Sequence, residues 1–181
     1  MKPIPDDAKE VVRQGVEKAC RDFSERLATI GFTRTMKMLW TRRRTHTADA
    51  IRLVRCGRVI VNYSVQLHME LKLRVLNDNC EHLLPNGPWT DNERMRAGRY
   101  HDRFNAQTGS TYDRCVDDLF RFVLEQGEPW FTRFQNPEAL LASDDSPLRQ
   151  SEKERLRAAI SGHPDSEAVA HSLKLLGIKT K

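Results

Sequence analysis

Two short stretches gather the reactive side chains of this chain. Cys80-Glu81-His82 places a thiol, a carboxylate and an imidazole side by side. A zinc site needs three or four ligands at defined spacing, and none of the six histidines stands in an HxH or HExxH arrangement. The stretch reads as a polar loop, and neither metal nor cofactor is expected. Arg99-Tyr100-His101-Asp102-Arg103 combines an imidazole, a carboxylate and two cations, the groups with which a nuclease activates water and holds a phosphate. Adjacent residues of a strand point to opposite faces, so His101 and Asp102 are expected to diverge. Cys20, Cys56, Cys80 and Cys115 are 36, 24 and 35 residues apart, with no CxxC pair. They read as reduced, buried small hydrophobes. No G-x-S-x-G, G-x-G-x-x-G or Walker pattern occurs. The expectation is a protein that is not an enzyme.

Charge is more informative than any motif. The net charge is +5, which favours an anionic partner. Residues 33–58 hold eight basic side chains (Arg34, Lys37, Arg42, Arg43, Arg44, Arg52, Arg55, Arg58) against Asp49 alone. Residues 110–145 reverse the sign, with Asp113, Asp117, Asp118, Glu125, Glu128, Glu138, Asp144 and Asp145 against three arginines. Trp40-Thr41-Arg42-Arg43-Arg44 joins a ring to a run of cations, as single-strand nucleic-acid binders do. Trp40 shares the parity of Met36 and Met38, however, which assigns it to the core.

Stepping these groups onto elements requires the hydrophobic period. Val12, Val16, Ala19, Phe23, Leu27 and Ile30 recur at helical spacing, and Gly31 closes that helix with Phe32 folded back on it. The period then changes to two. Residues 34–45 and 50–56 read as strands, with a turn at Gly57-Arg58. Every odd position from Val59 to Val75 is apolar and the residues between are polar except Ile60, predicting one long strand with a covered and a wet face. Seventeen residues at 3.3 Å each reach about 56 Å, beyond the roughly 40 Å diameter of a domain this size, so the strand must coil.

Residues 77–110 are turn-rich, with a further strand expected near Arg99–Phe104. Thr111 caps a helix that buries Tyr112, Cys115, Val116, Leu119, Phe122 and Val123 and ends at Gly127. Short helices follow at Pro129–Phe134 and from Asn136-Pro137-Glu138. Ser151 and Glu154 form a capping box for a helix over 152–161, and Pro164-Asp165 opens a last one that stops at Gly177. The fold class is α+β: an N-terminal helix on a curved, mainly antiparallel sheet, followed by C-terminal helices. Residues 1–142 form the core domain and 143–181 a helical extension docked on it.

The 181 residues include no run near the ~18 apolar residues that span a bilayer. The opening Met-Lys-Pro-Ile-Pro-Asp-Asp has no apolar signal core. A cytoplasmic protein without a membrane partner is expected.

The order of features supplies one more indication. A long helix ending in Gly31-Phe32, a basic strand reaching Trp40, Val61-Asn62-Tyr63-Ser64, and then Gly127-x-Pro129-Trp130-Phe131-x-x-Phe134 and Asn136-Pro137-Glu138 resemble an uncharacterised bacterial α+β domain family. Some of its members are polymorphic-toxin or contact-dependent-inhibition immunity proteins. The resemblance covers about residues 10–142 and carries over no site residue. It implies a protein without enzymatic activity that binds and blocks a cognate toxin domain, a nuclease in the first instance. A basic nuclease would be met by an acidic surface, here Asp113, Asp117, Asp118, Glu125, Glu128, Asp144 and Asp145. The alternative is a nucleic-acid-binding module that uses Arg42, Arg43, Arg44, Arg52, Arg55 and Arg58 of the 34–58 strands.

Overall fold

The computed structural model describes residues 6–56, 63–90 and 99–179. A helix, α1 (Asp6–Ala28), leads into four strands: β1 (Thr33–Met36), β2 (Leu39–Arg43), β3 (Thr47–Cys56) and β4 (Ser64–Val75). After a long connection come β5 (Arg103–Asn105), α2 (Tyr112–Phe122), a π-helical turn (Val123–Gly127), α3 (Glu128–Arg133), α4 (Pro137–Ala142), α5 (Gln150–Ile160) and α6 (Ser166–Leu175). The strands form one curved antiparallel sheet in chain order. This is the expected α+β architecture. Among the described residues no helix is long and apolar enough to cross a membrane.

Helix α1 ends as its sequence dictates. Gly31 takes φ +85°, which costs glycine no Cβ clash, and Phe32 N–H returns to the Leu27 carbonyl at 3.1 Å. The apolar stripe of α1 faces the inner side of the sheet, where Phe23 and Leu27 join Trp40, Ile51, Leu67, Met69 and Leu71 in the main core. Helix α2 completes this layer with Cys115, Leu119 and Phe122. A second apolar cluster lies on the opposite face, where Leu173 and Leu176 cover Leu39, Ala48 and Ala50. A third joins Leu73 and Val75 to Phe134, Leu140, Leu148 and Leu156.

The alternation in β4 holds: Val65, Leu67, Met69, Leu71, Leu73 and Val75 are all buried. Two parts of the long-strand expectation do not. Tyr63 has φ +58°, outside the β region, so one regular strand does not run from 59 to 75. Residues 57–62, including the expected Gly57-Arg58 turn, lie outside the described residues. Nor is the polar face wet throughout, because Lys72 and Arg74 are buried. Arg74 donates to the carbonyls of Asp78 (2.8 Å) and Cys80 (2.9 Å) and to Ser172 Oγ (3.1 Å). It thereby ties the loop after β4 and α6 over that face. The turn-rich stretch also covers the free edge of β4: Leu71 N–H donates to Pro88 O at 3.0 Å, and the Asn86 amide pairs with both backbone groups of Leu73.

Four smaller expectations are corrected. Residues 34–45 are two strands, because the chain reverses at Lys37-Met38, so Met36 is 50% exposed although Trp40 is fully buried. Thr111 precedes α2 with φ +60° and makes no side-chain cap; its hydroxyl sits 2.9 Å from the Arg103 carbonyl instead. Gly127 does not end the helix. It keeps helical angles (φ −76°) and lets the chain press on the sheet, where an added Cβ would lie 3.0 Å from Leu71 Cδ1. The acidic arm of the capping box belongs to Glu152, which accepts from Arg149 N–H at 2.7 Å, two residues earlier than the Ser151–Glu154 pairing.

Candidate partner-binding surface

The basic strands divide into two populations. Arg42 and Arg44 converge on the buried carboxylate of Asp49. Arg42 Nε is 3.0 Å from Asp49 Oδ2, and Arg44 Nη2 is 2.6 Å from it. The remaining face of Arg42 reaches Glu128 at 3.0 and 3.1 Å and the Ile30 carbonyl at 2.9 Å, over the ring of Phe32. These two arginines are internal fasteners that join α1, β2, β3 and α3. Arg43, Arg52 and Arg55 are exposed and make no ion pair among the described residues. Arg58 lies outside them. Trp40 is sealed in the core, edge-on to Phe23 at 5.1 Å, with its Nε1 donating to Ser24 Oγ at 2.8 Å. It offers no stacking surface.

The acidic group is partnered more completely. Asp117 meets Arg26 at 2.5 Å and Asp118 meets Arg121 at 3.0 Å while accepting from His101 N–H at 2.7 Å. Glu125 accepts from Tyr100 Oη at 2.6 Å and lies 3.3 Å from Arg99. The Tyr100 hydrogen bond, with Arg99 beside it, holds the Glu125 carboxyl below its usual range. Glu128 is held by Arg42, and Asp145 pairs with Arg133. Asp113 and Asp144 are exposed and make no ion pair among the described residues. The helix and the 142–147 loop therefore do not present one continuous unpaired acidic face.

The stretches rich in reactive groups are structural in geometry. His101 and Asp102 diverge: Asp102 accepts from Gln66 Nε2 at 2.9 Å and lies 3.5 Å from His68 Nε2. That His68–Asp102 contact is invisible in the linear sequence, because it depends on where β5 joins β4. Cys80 and His82 line a polar cavity of about 300 Å³ with Lys72 and Arg74. Both cations there have internal partners, Lys72 with Glu70 at 3.2 Å and Arg74 with Asp78 at 2.7 Å. Among the described residues no three His, Cys, Asp or Glu side chains are placed to share a metal ion.

Burial pushes the Cys20 thiol up to about 11 and the Cys115 thiol up to about 12. At neutral pH neither has appreciable thiolate, the reactive form. A thiol-alkylating reagent should accordingly modify half-buried Cys80 first, and Cys20 and Cys115 only on unfolding. Peptide mass spectrometry reads this directly, and rapid native modification of Cys20 or Cys115 would contradict their place in the core.

One surface remains with unpartnered character of both kinds. A groove of about 430 Å³ opens where the β1–β2 turn, residues 52–55 of β3 and the end of α6 meet. Leu39 and Leu53 lie buried beneath it, and Met38, Val54, Leu83 and Leu175 form its half-buried walls. Met36 stands at the lip, and Lys37, Arg52 and Arg55 supply the charge; among the described residues no acid and no aromatic ring lines it. Glu70 faces Arg52 across the β3–β4 ladder but is engaged by Lys72. Sequence reasoning identified the two arginines and missed the apolar part. The residues that make it come from a turn hidden inside an apparent strand and from a helix whose docking site the period cannot show. No family model, curated protein or solved structure matches this chain.

Proposed function

We propose that the protein acts by binding another protein through this groove, and that it neutralises a toxin domain as the family resemblance implies. The observation that carries the reading is the wall of half-buried Met38, Val54, Leu83 and Leu175, with Met36 exposed at its lip, beside cations that make no ion pair among the described residues. Apolar patches with a polar rim are characteristic of protein-interaction sites, and methionine adapts its shape to a partner. A blocking protein needs a rigid scaffold and no turnover group, which fits the internal engagement of Asp102, Asp118 and Glu125 and the burial of Cys20 and Cys115.

The nucleic-acid alternative has less to support it. Of the six arginines it invokes, Arg42 and Arg44 are fastened to Asp49, and the ring that would stack on bases is buried. Co-expression with a toxin encoded beside the gene should protect cells, and the two proteins should co-purify through a high-salt wash. Recovery of nucleic acid alone, with affinity that falls steeply with salt, would reverse the preference.

A further inference from the structure

We propose that the segment seated in the groove is acidic and amphipathic: a strip of the partner protein that sets apolar side chains on Val54, Leu83 and Leu175 and carboxylates against Arg52 and Arg55. This rests on the binding reading of the same groove and specifies the partner's chemistry.

Charge complementarity selects the occupant. Among its described lining residues the groove carries three cations and no acid, and the guanidinium fork pairs with carboxylates in bidentate fashion. Arg52 and Arg55 are three residues apart on β3, about 10 Å along a strand. An odd separation turns the two side chains to opposite faces of β3, so partner carboxylates that meet both must lie on the two sides of the bound segment. A phosphate backbone would satisfy the arginines but leave the apolar wall facing unstacked bases, with no ring among the described lining residues to receive them. A second copy of this chain is a poor occupant, because most of its acidic side chains in the 110–145 region are already paired with its own arginines. The partner's contact face is therefore acidic, not the basic surface of a typical polyanion-binding nuclease.

The test uses the full chain with p-benzoylphenylalanine in place of Val54, irradiated in cells of the organism that makes it, with the crosslinked peptide sequenced by mass spectrometry. The expected product is a partner segment with net negative charge and apolar residues among the acids. Its yield should fall at least tenfold when Arg52→Glu and Arg55→Glu are introduced together, and hold with Arg43→Glu, which lies outside the groove. Because both rim arginines are exposed, a matching melting curve checks that the double variant folds, and Arg52→Gln with Arg55→Gln provides a milder version. A crosslink to a neutral or basic segment, or a yield indifferent to the double reversal, overturns the acidic partner and leaves the binding reading standing. Crosslinks only to nucleic acid, or none above those from an exposed position on α2, overturn the binding reading itself.

Discussion

Asp49→Ala should destabilise the protein by about 3–5 kcal/mol, the usual result of removing one member of a buried ion cluster. Asp49 is fully buried, and both its arginines are more than three-quarters buried at their side chains. With the carboxylate gone, two guanidinium groups face each other in a partly dehydrated site. Glu128 still holds Arg42, but Arg44 has no substitute acid among its described partners. For a chain of this length the loss corresponds to a fall in melting temperature of roughly 6–20 °C. Arg43→Ala, one residue from each fastener but exposed, should stay within about 0.5 kcal/mol. Thermal and chemical denaturation of both variants distinguish structural from surface arginines; equal effects would contradict that division.

Trp40→Ala should cost about 3–5 kcal/mol, as large aromatic truncations in a packed core do. The ring fills the space between α1 and the sheet, packs edge-on against Phe23, and anchors its N–H on Ser24. Trp40→Phe keeps much of the volume and should cost less, because Ser24 Oγ retains a second partner in the Cys20 carbonyl at 2.6 Å. Urea titrations give both values. If Trp40 were a stacking ring on the surface, the alanine variant would lose nucleic-acid binding and little stability.

These cases show what the linear chain discloses. Period two in 64–75 and the helical stripe of 12–30 were legible because each reports directly which side of one element meets the core. The Gly31-Phe32 ending was legible because a left-handed cap has a local chemistry. The pairing of Arg42 and Arg44 with Asp49 was not, since it depends on the β2–β3 register, which sets Arg42 opposite Asp49. The groove was hidden for the same reason: Met36, Val54, Leu83 and Leu175 come from four segments, and only tertiary docking makes them neighbours. The acidic stretch misleads in the opposite direction. Read along the chain it is a strong negative run, yet Arg26, Arg42, Arg99, Arg121 and Arg133 neutralise much of it across space.

Binding through the groove is the central claim, and amide hydrogen exchange with and without the co-purified partner tests it most directly. Slowed exchange should be confined to the β1–β2 turn around Met36–Leu39, to Arg52–Arg55, and to the backbone around Leu83 and Leu175. Slowed exchange centred on Tyr112–Gln126 and the 142–147 loop, with the groove unchanged, would contradict it and place the interface on the acidic helix.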